Sequence, residues 1–190
     1  MVNKLTLWTF CLIVLSSCVV SPPKKTTNIC EIFYEKRSWY KAAVKTEKRW
    51  GSPAYVTLAF IKQESDFQQG AKPERTKLLG LIPWKRKSSA YGYAQALNGT
   101  WDWYKKDTGN RSASRTNFYD STDFIGWYVT QTNKKLKISK SNVYRQYLAY
   151  HQGHAGYASG RYKSSEAIMA VAKRTASTAS LFDKQLKNCN

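Results

Sequence analysis

The carboxyl group of Glu64 follows the apolar run Leu58, Ala59, Phe60 and Ile61. Apolar surroundings raise a carboxyl pKa, so such a group can act near neutral pH as a general acid and, once ionised, as a base. A lone helix-end Glu is ordinary; its company makes this one a candidate. Ser65 follows it directly and Phe67 lies three positions on, and then come Gly92-Tyr93-Ala94-Gln95 and Ala149-Tyr150-His151-Gln152-Gly153. Gly92 permits close backbone approach, Gln95 offers both an amide donor and an acceptor, and Tyr150 can bring a phenol towards Glu64. No second carboxylate presents itself. Asp66 is two positions from Glu64 and points elsewhere on a helix, while Asp102, Asp120 and Asp123 fall near expected helix starts, where capping suits them. His151 and His154 have no acid or thiol near them in sequence, and Gly153 and Gly156 interrupt their helix, so no metal and no cofactor is expected.

These side chains need a helical frame. Ile32, Phe33, Trp39, Ala42, Ala43 and Trp50 recur at helical spacing up to Gly51, a C-terminal cap. Ser52-Pro53 reads as an N-cap followed by proline at the first helical position. The body from Ala54 to Gln63 is apolar on most sides and belongs in a core, with Glu64 at its end. Gly70, Pro73, Gly80 and Pro83 then break the pattern across a basic loop over residues 68–90, in which a small β ribbon is expected. Its cations sit among leucines and Trp84; two readings stand, a wall or lid over a cleft and a solvated charged loop. Helices are expected over 100–106, from a cap at Asp120 or Ser121, from a cap at Ser139 to the break at Gly153, and over 164–186 with Ile168, Val171, Ala172, Leu181 and Leu186 inward. The class is mainly α.

The ends set the compartment. Lys4, then the apolar stretch from Leu5 to Leu15, then Leu15-Ser16-Ser17-Cys18, read as an export signal over 1–17. About eleven apolar residues are too few to span a bilayer, which takes about 20. The polar, proline-containing stretch over 18–29 reads as a tether, leaving one folded domain over 30–190. Cys30 and Cys189 bracket that domain, and in an oxidising compartment the simplest expectation is a disulfide. The formal net charge is +19, and removal of Lys4 lowers it by only one. Such a surface seeks polyanions. No nucleic-acid-binding module is recognisable, so no specific nucleic acid is expected, and envelope phosphates and carboxylates fit an exported chain better.

The three ordered motifs resemble the active-site signature of the SLT-type lytic transglycosylases, lysozyme-like enzymes that cut peptidoglycan glycan strands. Gly92-Tyr93-Ala94-Gln95 is similar to that family's Gly-Leu-Met-Gln stretch, differing at the middle pair, and Ala149 to Gly153 is similar to its Ala-Tyr-Asn-x-Gly stretch, with His151 in place of Asn. The resemblance implies a lysozyme-like helical domain in which Glu64 acts as acid and then base. The substrate's own acetamido group then takes the place of a second carboxylate, and 1,6-anhydro-muramoyl ends are formed. It also implies glycan contacts from Ser65, Gln95, Tyr150, Tyr93 and His151. Trp84, Trp101, Trp103 and Trp127 are candidate platforms for sugar faces, Trp84 first because it lies in the loop. Leu-Ser-Ser-Cys resembles a lipobox that places a lipid on Cys18, and Val19 in place of Asp points to the outer membrane, facing the periplasm. The expected protein is a monomeric, membrane-anchored lipoprotein acting on peptidoglycan strands. Two alternatives stand beside it: a hydrolytic muramidase like the goose-type lysozymes, and a non-catalytic peptidoglycan-binding lipoprotein.

Overall fold

The computed structural model describes residues 20–189. The expected signal over 1–17 and Cys18 lie outside the described residues. Within them the chain forms α1 (Ile29–Glu35), α2 (Arg37–Trp50), α3 (Ala54–Ser65), the strands β1 (Arg75–Leu78) and β2 (Ile82–Arg86), α4 (Asn98–Thr108), α5 (Phe118–Leu136), α6 (Val143–Ala158), a 3-10 turn at Arg161–Ser164, and α7 (Glu166–Leu186). The mainly helical class is the observed one. The ribbon in the 68–90 loop is there too, as two antiparallel strands pairing Leu78 with Ile82 and Arg75 with Arg86.

Local chemistry sets most helix ends. Gly51 and Gly109 close α2 and α4 in the left-handed conformation, at φ 63° and 72°, which glycine adopts without a Cβ clash. Four expectations are corrected. The run up to Trp50 is two helices, because Lys36 leaves helical geometry at φ −120°, ψ 70°. Ser52 does not cap α3; Pro53 holds that place with an extended backbone, and Ser52 is buried with its Oγ unpartnered among the described residues. Asn117 and Asn142, not Asp120 and Ser139, accept the free backbone N–H groups of α5 and α6. Leu181 is exposed, and its neighbour Phe182 fills the core.

Helix α2 packs on α5, α3 on α7, and α6 on both α5 and α7. Trp39 stacks on Phe118 with ring centroids 3.8 Å apart, and Phe67 and Tyr93 close around it. A second aromatic group, Trp101, Tyr104, Phe124 and Trp127, joins α4 to α5. Val56, Leu58, Ala59, Phe60 and Ile61 of α3 are each 0% exposed, so that helix delivers Glu64 from the middle of the core. Among the described residues the buried apolar core side chains lie between Ile29 and Phe182.

Cys30 and Cys189 form the expected disulfide, tying α1 to the end of α7. The described part of the expected tether differs from expectation: it lies against the domain. Pro23 is buried, the Lys24 amide donates to Glu35 at 2.9 Å, Lys62 donates to Thr26 Oγ1 at 2.9 Å, and the Val20 amide donates to Gln69 Oε1 at 2.8 Å.

Candidate active site

Helix α3 ends abruptly one residue after Glu64. Asp66 and Phe67 are successive non-glycine residues in the left-handed region, at φ 45° and 63°, a conformation that persists only where the surroundings impose it. Here the surroundings are plain: the turn drops the Phe67 ring into the core at 0% exposure. Ser65 Oγ donates to the carbonyl of Tyr93 at 2.8 Å, in reach also of the Ile61 carbonyl. Ser65 is therefore a buried link between α3 and the second motif, correcting the expectation that it contacts glycan.

The second motif is a tight turn pressed against the loop before α5. Gly92 has φ 76°, and a Cβ there would collide with the backbone carbonyl of Arg115. Its amide donates to the Ala71 carbonyl at 2.9 Å, and the Tyr93 amide donates to the Arg115 carbonyl at 3.2 Å. Tyr93 itself is 1% exposed, packed edge-on against Trp39 and Phe118. It is a core residue and not a glycan contact, because the turn sends its ring inward. Gln95, at φ 46°, donates from Nε2 to the carbonyls of Ala71 and Gly92, each at 2.9 Å. Its amide nitrogen is thus spent on holding the turn, leaving the side-chain oxygen for other partners.

The third motif closes over the first two. Tyr150 on α6 donates from its hydroxyl to the Ala94 carbonyl at 2.5 Å. Three residues earlier on the same helix face, Tyr147 lies near enough to Glu64 to favour its ionised form. Tyr147 is not among the site residues expected from the sequence; its spacing of three from Tyr150 is the signal that offers it. Phe60 contacts both rings, each at 5.3 Å between centroids.

Glu64 is half-buried as a residue, but its Oε1 is shut from solvent and has no hydrogen-bond partner among the described residues. Burial pushes its pKa up to about 7, with Tyr147 pulling weakly the other way by favouring the ionised form. The Tyr147 and Tyr150 phenols are raised in turn, first by burial and then by the nearby Glu64 charge, so both stay protonated donors.

Beside this triad runs a groove lined by Gln95, Thr100, Phe124, Tyr128, Tyr150 and His151, among others, none of them acidic. Tyr150 thus touches both the groove and the electrostatic surroundings of Glu64. Gly153 breaks α6 at φ 71°, ψ 159°, turning the chain just after His151, which is exposed at the groove. The carbonyl of Gln152 at this break accepts from Arg161 at 2.8 Å. His154 lies past the break, its Nε2 2.9 Å from Thr132 Oγ1 and its ring stacked on Tyr128. Burial lowers its pKa to about 4, leaving it a neutral support for that ring. No group of three or more His, Cys, Asp or Glu gathers among the described residues.

The aromatic platforms and the remaining carboxylates need correction. Trp101 and Trp127 are core, Trp103 packs on Trp127, and no Trp lines the groove. Trp84 stands 51% exposed on β2, and neither it nor any other ribbon residue is among those that line this groove. Asp123 does not cap α5. It is 2% exposed and accepts from Arg49 at 3.0 Å, Trp50 Nε1 at 2.8 Å and the Tyr104 hydroxyl at 2.8 Å, a structural knot between α2, α4 and α5.

A family model described as "Transglycosylase SLT domain" matches residues 6–189. No curated protein matches the chain.

Proposed function

The chain belongs to the transglycosylase SLT domain family, whose members act on peptidoglycan, and on that premise we propose that it cleaves the MurNAc-GlcNAc bond without water. Protonated Glu64 gives its proton to the glycosidic oxygen as the bond to C1 breaks. The acetamido oxygen of the same MurNAc bonds to C1 and forms an oxazolinium ring. Glu64, now ionised, takes the proton of the C6 hydroxyl; O6 bonds to C1, the ring opens to restore the acetamide, and a 1,6-anhydro end leaves. The proton given in the first step is regained in the second.

The observation that carries this reading is the carboxyl of Glu64 itself: raised to about 7 by burial, with an unpartnered Oε1, and joined through Tyr150 to a groove whose lining holds no acid. A group with that pKa serves as acid and base in turn with little penalty in either role. Tyr150, the side-chain oxygen of Gln95 and His151 are the groove's polar contacts for the sugar. Ser65 and Tyr93 act through position alone. The Cys30–Cys189 disulfide favours an oxidising compartment, which suits export, lipid attachment at Cys18 and a site facing the periplasm from the outer membrane.

Digestion of purified sacculi, with products weighed, tests the reaction. Wild type is expected to release anhydro-muropeptides, and Glu64→Gln none. Products heavier by one water would assign the hydrolytic outcome, and equal release by Glu64→Gln would remove the enzyme reading.

A further inference from the structure

The ribbon of β1 and β2 carries the most exposed leucines among the described residues. Leu79 and Leu81 at its tip are 85% and 84% exposed, and Trp84 on β2 is 51% exposed. Neither strand forms a substantial contact with any helix, so nothing in the fold calls for these residues. Leu79 moreover holds φ 51°, a left-handed conformation unfavourable for a side chain with a Cβ. The turn that joins the strands imposes that conformation, so it is the exposure of Leu79 and Leu81 that points to a partner outside the fold. Flanking the tip, Arg75, Lys77, Lys85, Arg86 and Lys87 are all exposed, and Glu74 is the only acid between Gly70 and Ala90.

We propose that this ribbon is a membrane-contact element that seats the domain on an anionic lipid surface. Leu79, Leu81 and Trp84 enter the interfacial layer while Arg75, Lys77, Lys85 and Lys87 meet headgroup phosphates. An apolar tip inside a basic collar matches the two layers of such a surface, and Trp favours the headgroup level. Two exposed leucines offer a glycan strand neither ring faces nor hydrogen bonds, and no ribbon residue is among those lining the groove.

The expected lipid site lies close in the chain to the base of the ribbon. The ribbon springs from Ala71, whose carbonyl accepts from Gly92 and Gln95. Two residues before Ala71, Gln69 holds the amide of Val20. Cys18 stands two residues before Val20 in the sequence, and two residues of chain span at most about 7 Å. A lipid on Cys18 would thus attach near the base of the ribbon, where both can engage one surface.

The test needs no lipid on the protein. Residues 20–190, which hold every core side chain among the described residues, are sedimented with vesicles of phosphatidylglycerol and phosphatidylethanolamine, and with phosphatidylcholine alone, at about 150 mM salt, where exposed charges are screened beyond about 8 Å. Wild type is expected to bind the anionic vesicles, and Leu79→Ser/Leu81→Ser/Trp84→Ser, at unchanged net charge, to lose about tenfold or more in partitioning. Binding by the variant equal to wild type would overturn the proposal, as would failure of wild type to bind. Loss of sacculus binding with vesicle binding intact would likewise overturn it and assign the ribbon to glycan. The triple variant is expected to melt with wild type. Should it unfold, Lys77→Glu/Lys85→Glu/Lys87→Glu gives the second reading: reduced binding to anionic vesicles supports the proposal, and undiminished binding overturns it.

Discussion

The hydroxyl of Tyr150 donates to the backbone carbonyl of Ala94, 2.5 Å away, and so ties α6 to the turn that carries Gln95. Ser65 makes the matching tie from α3, donating to the carbonyl of Tyr93 at 2.8 Å. Two adjacent carbonyls of one turn thus receive the helix that carries Glu64 and the helix that carries Tyr147. Misplacing either helix moves the acid relative to the groove.

Tyr150→Phe is expected to keep the ring contacts with Phe60, Phe124 and Tyr128 while orphaning the Ala94 carbonyl. The stability loss should be about 1–2 kcal/mol, the range for one buried hydrogen bond. Sacculus turnover should fall further than stability accounts for, at least about tenfold. Urea unfolding and initial digestion rates, measured on the same preparation, separate the two effects.

Tyr147 pulls the Glu64 pKa down against the larger effect of burial. Tyr147→Phe is therefore expected to raise that pKa further, moving the alkaline fall in activity from near pH 7 to higher pH. A rate profile from about pH 5 to 9 checks the direction, and a shift towards lower pH would contradict the role given to the phenol.

Glu64 also sets a pH dependence of stability. Its pKa rises from 4.5 to about 7 on folding, so between these values the folded chain holds a proton that the unfolded chain has lost. The contribution is fully present below about pH 4.5 and is lost as pH rises through about 7. Ionised Glu64 then costs on the order of 3 kcal/mol. Glu64→Gln should melt several degrees above wild type at about pH 8 and together with it at about pH 4, although it is inactive at both. Calorimetry at the two pH values reads this directly.

Gly92→Ala combines a left-handed φ of 76° with a methyl group aimed at the Arg115 carbonyl. Loss of about 2 kcal/mol or more is expected, because neither the backbone nor the carbonyl can give way without releasing the turn. Gly70→Ala is the control: nothing lies within contact of a Cβ there. Denaturant midpoints of the two variants should separate clearly.

Reduction of Cys30–Cys189 opens a loop with a sequence separation of 159. The chain-entropy limit for so long a loop is about 5 kcal/mol, and a fall in melting temperature of roughly 10 °C is expected on adding reductant. Cys30→Ser/Cys189→Ser should reproduce it.

The elements legible in the sequence were those that local chemistry decides. Gly51 and Gly109 announce helix ends because only glycine enters the left-handed region freely, and the apolar body of α3 announces its own burial. The starts of α5 and α6 were misplaced because Asp120 and Ser139 are as able to cap as Asn117 and Asn142. Sequence lists all four; packing of the preceding loop selects among them.

For the site, the sequence by itself determined which residues are present and in what order: one acid after a buried helix, then a glutamine turn, then a tyrosine helix. It could not say which way each side chain faces, since that follows from contacts between residues far apart in the chain. Only the tertiary structure turned Tyr93 and Ser65 inward, spent the Gln95 amide nitrogen on the backbone, brought Tyr147 to Glu64 and left Trp84 outside with the leucine tip. The same packing raised the Glu64 pKa, because desolvation depends on what surrounds a carboxyl in space and not on its neighbours in sequence.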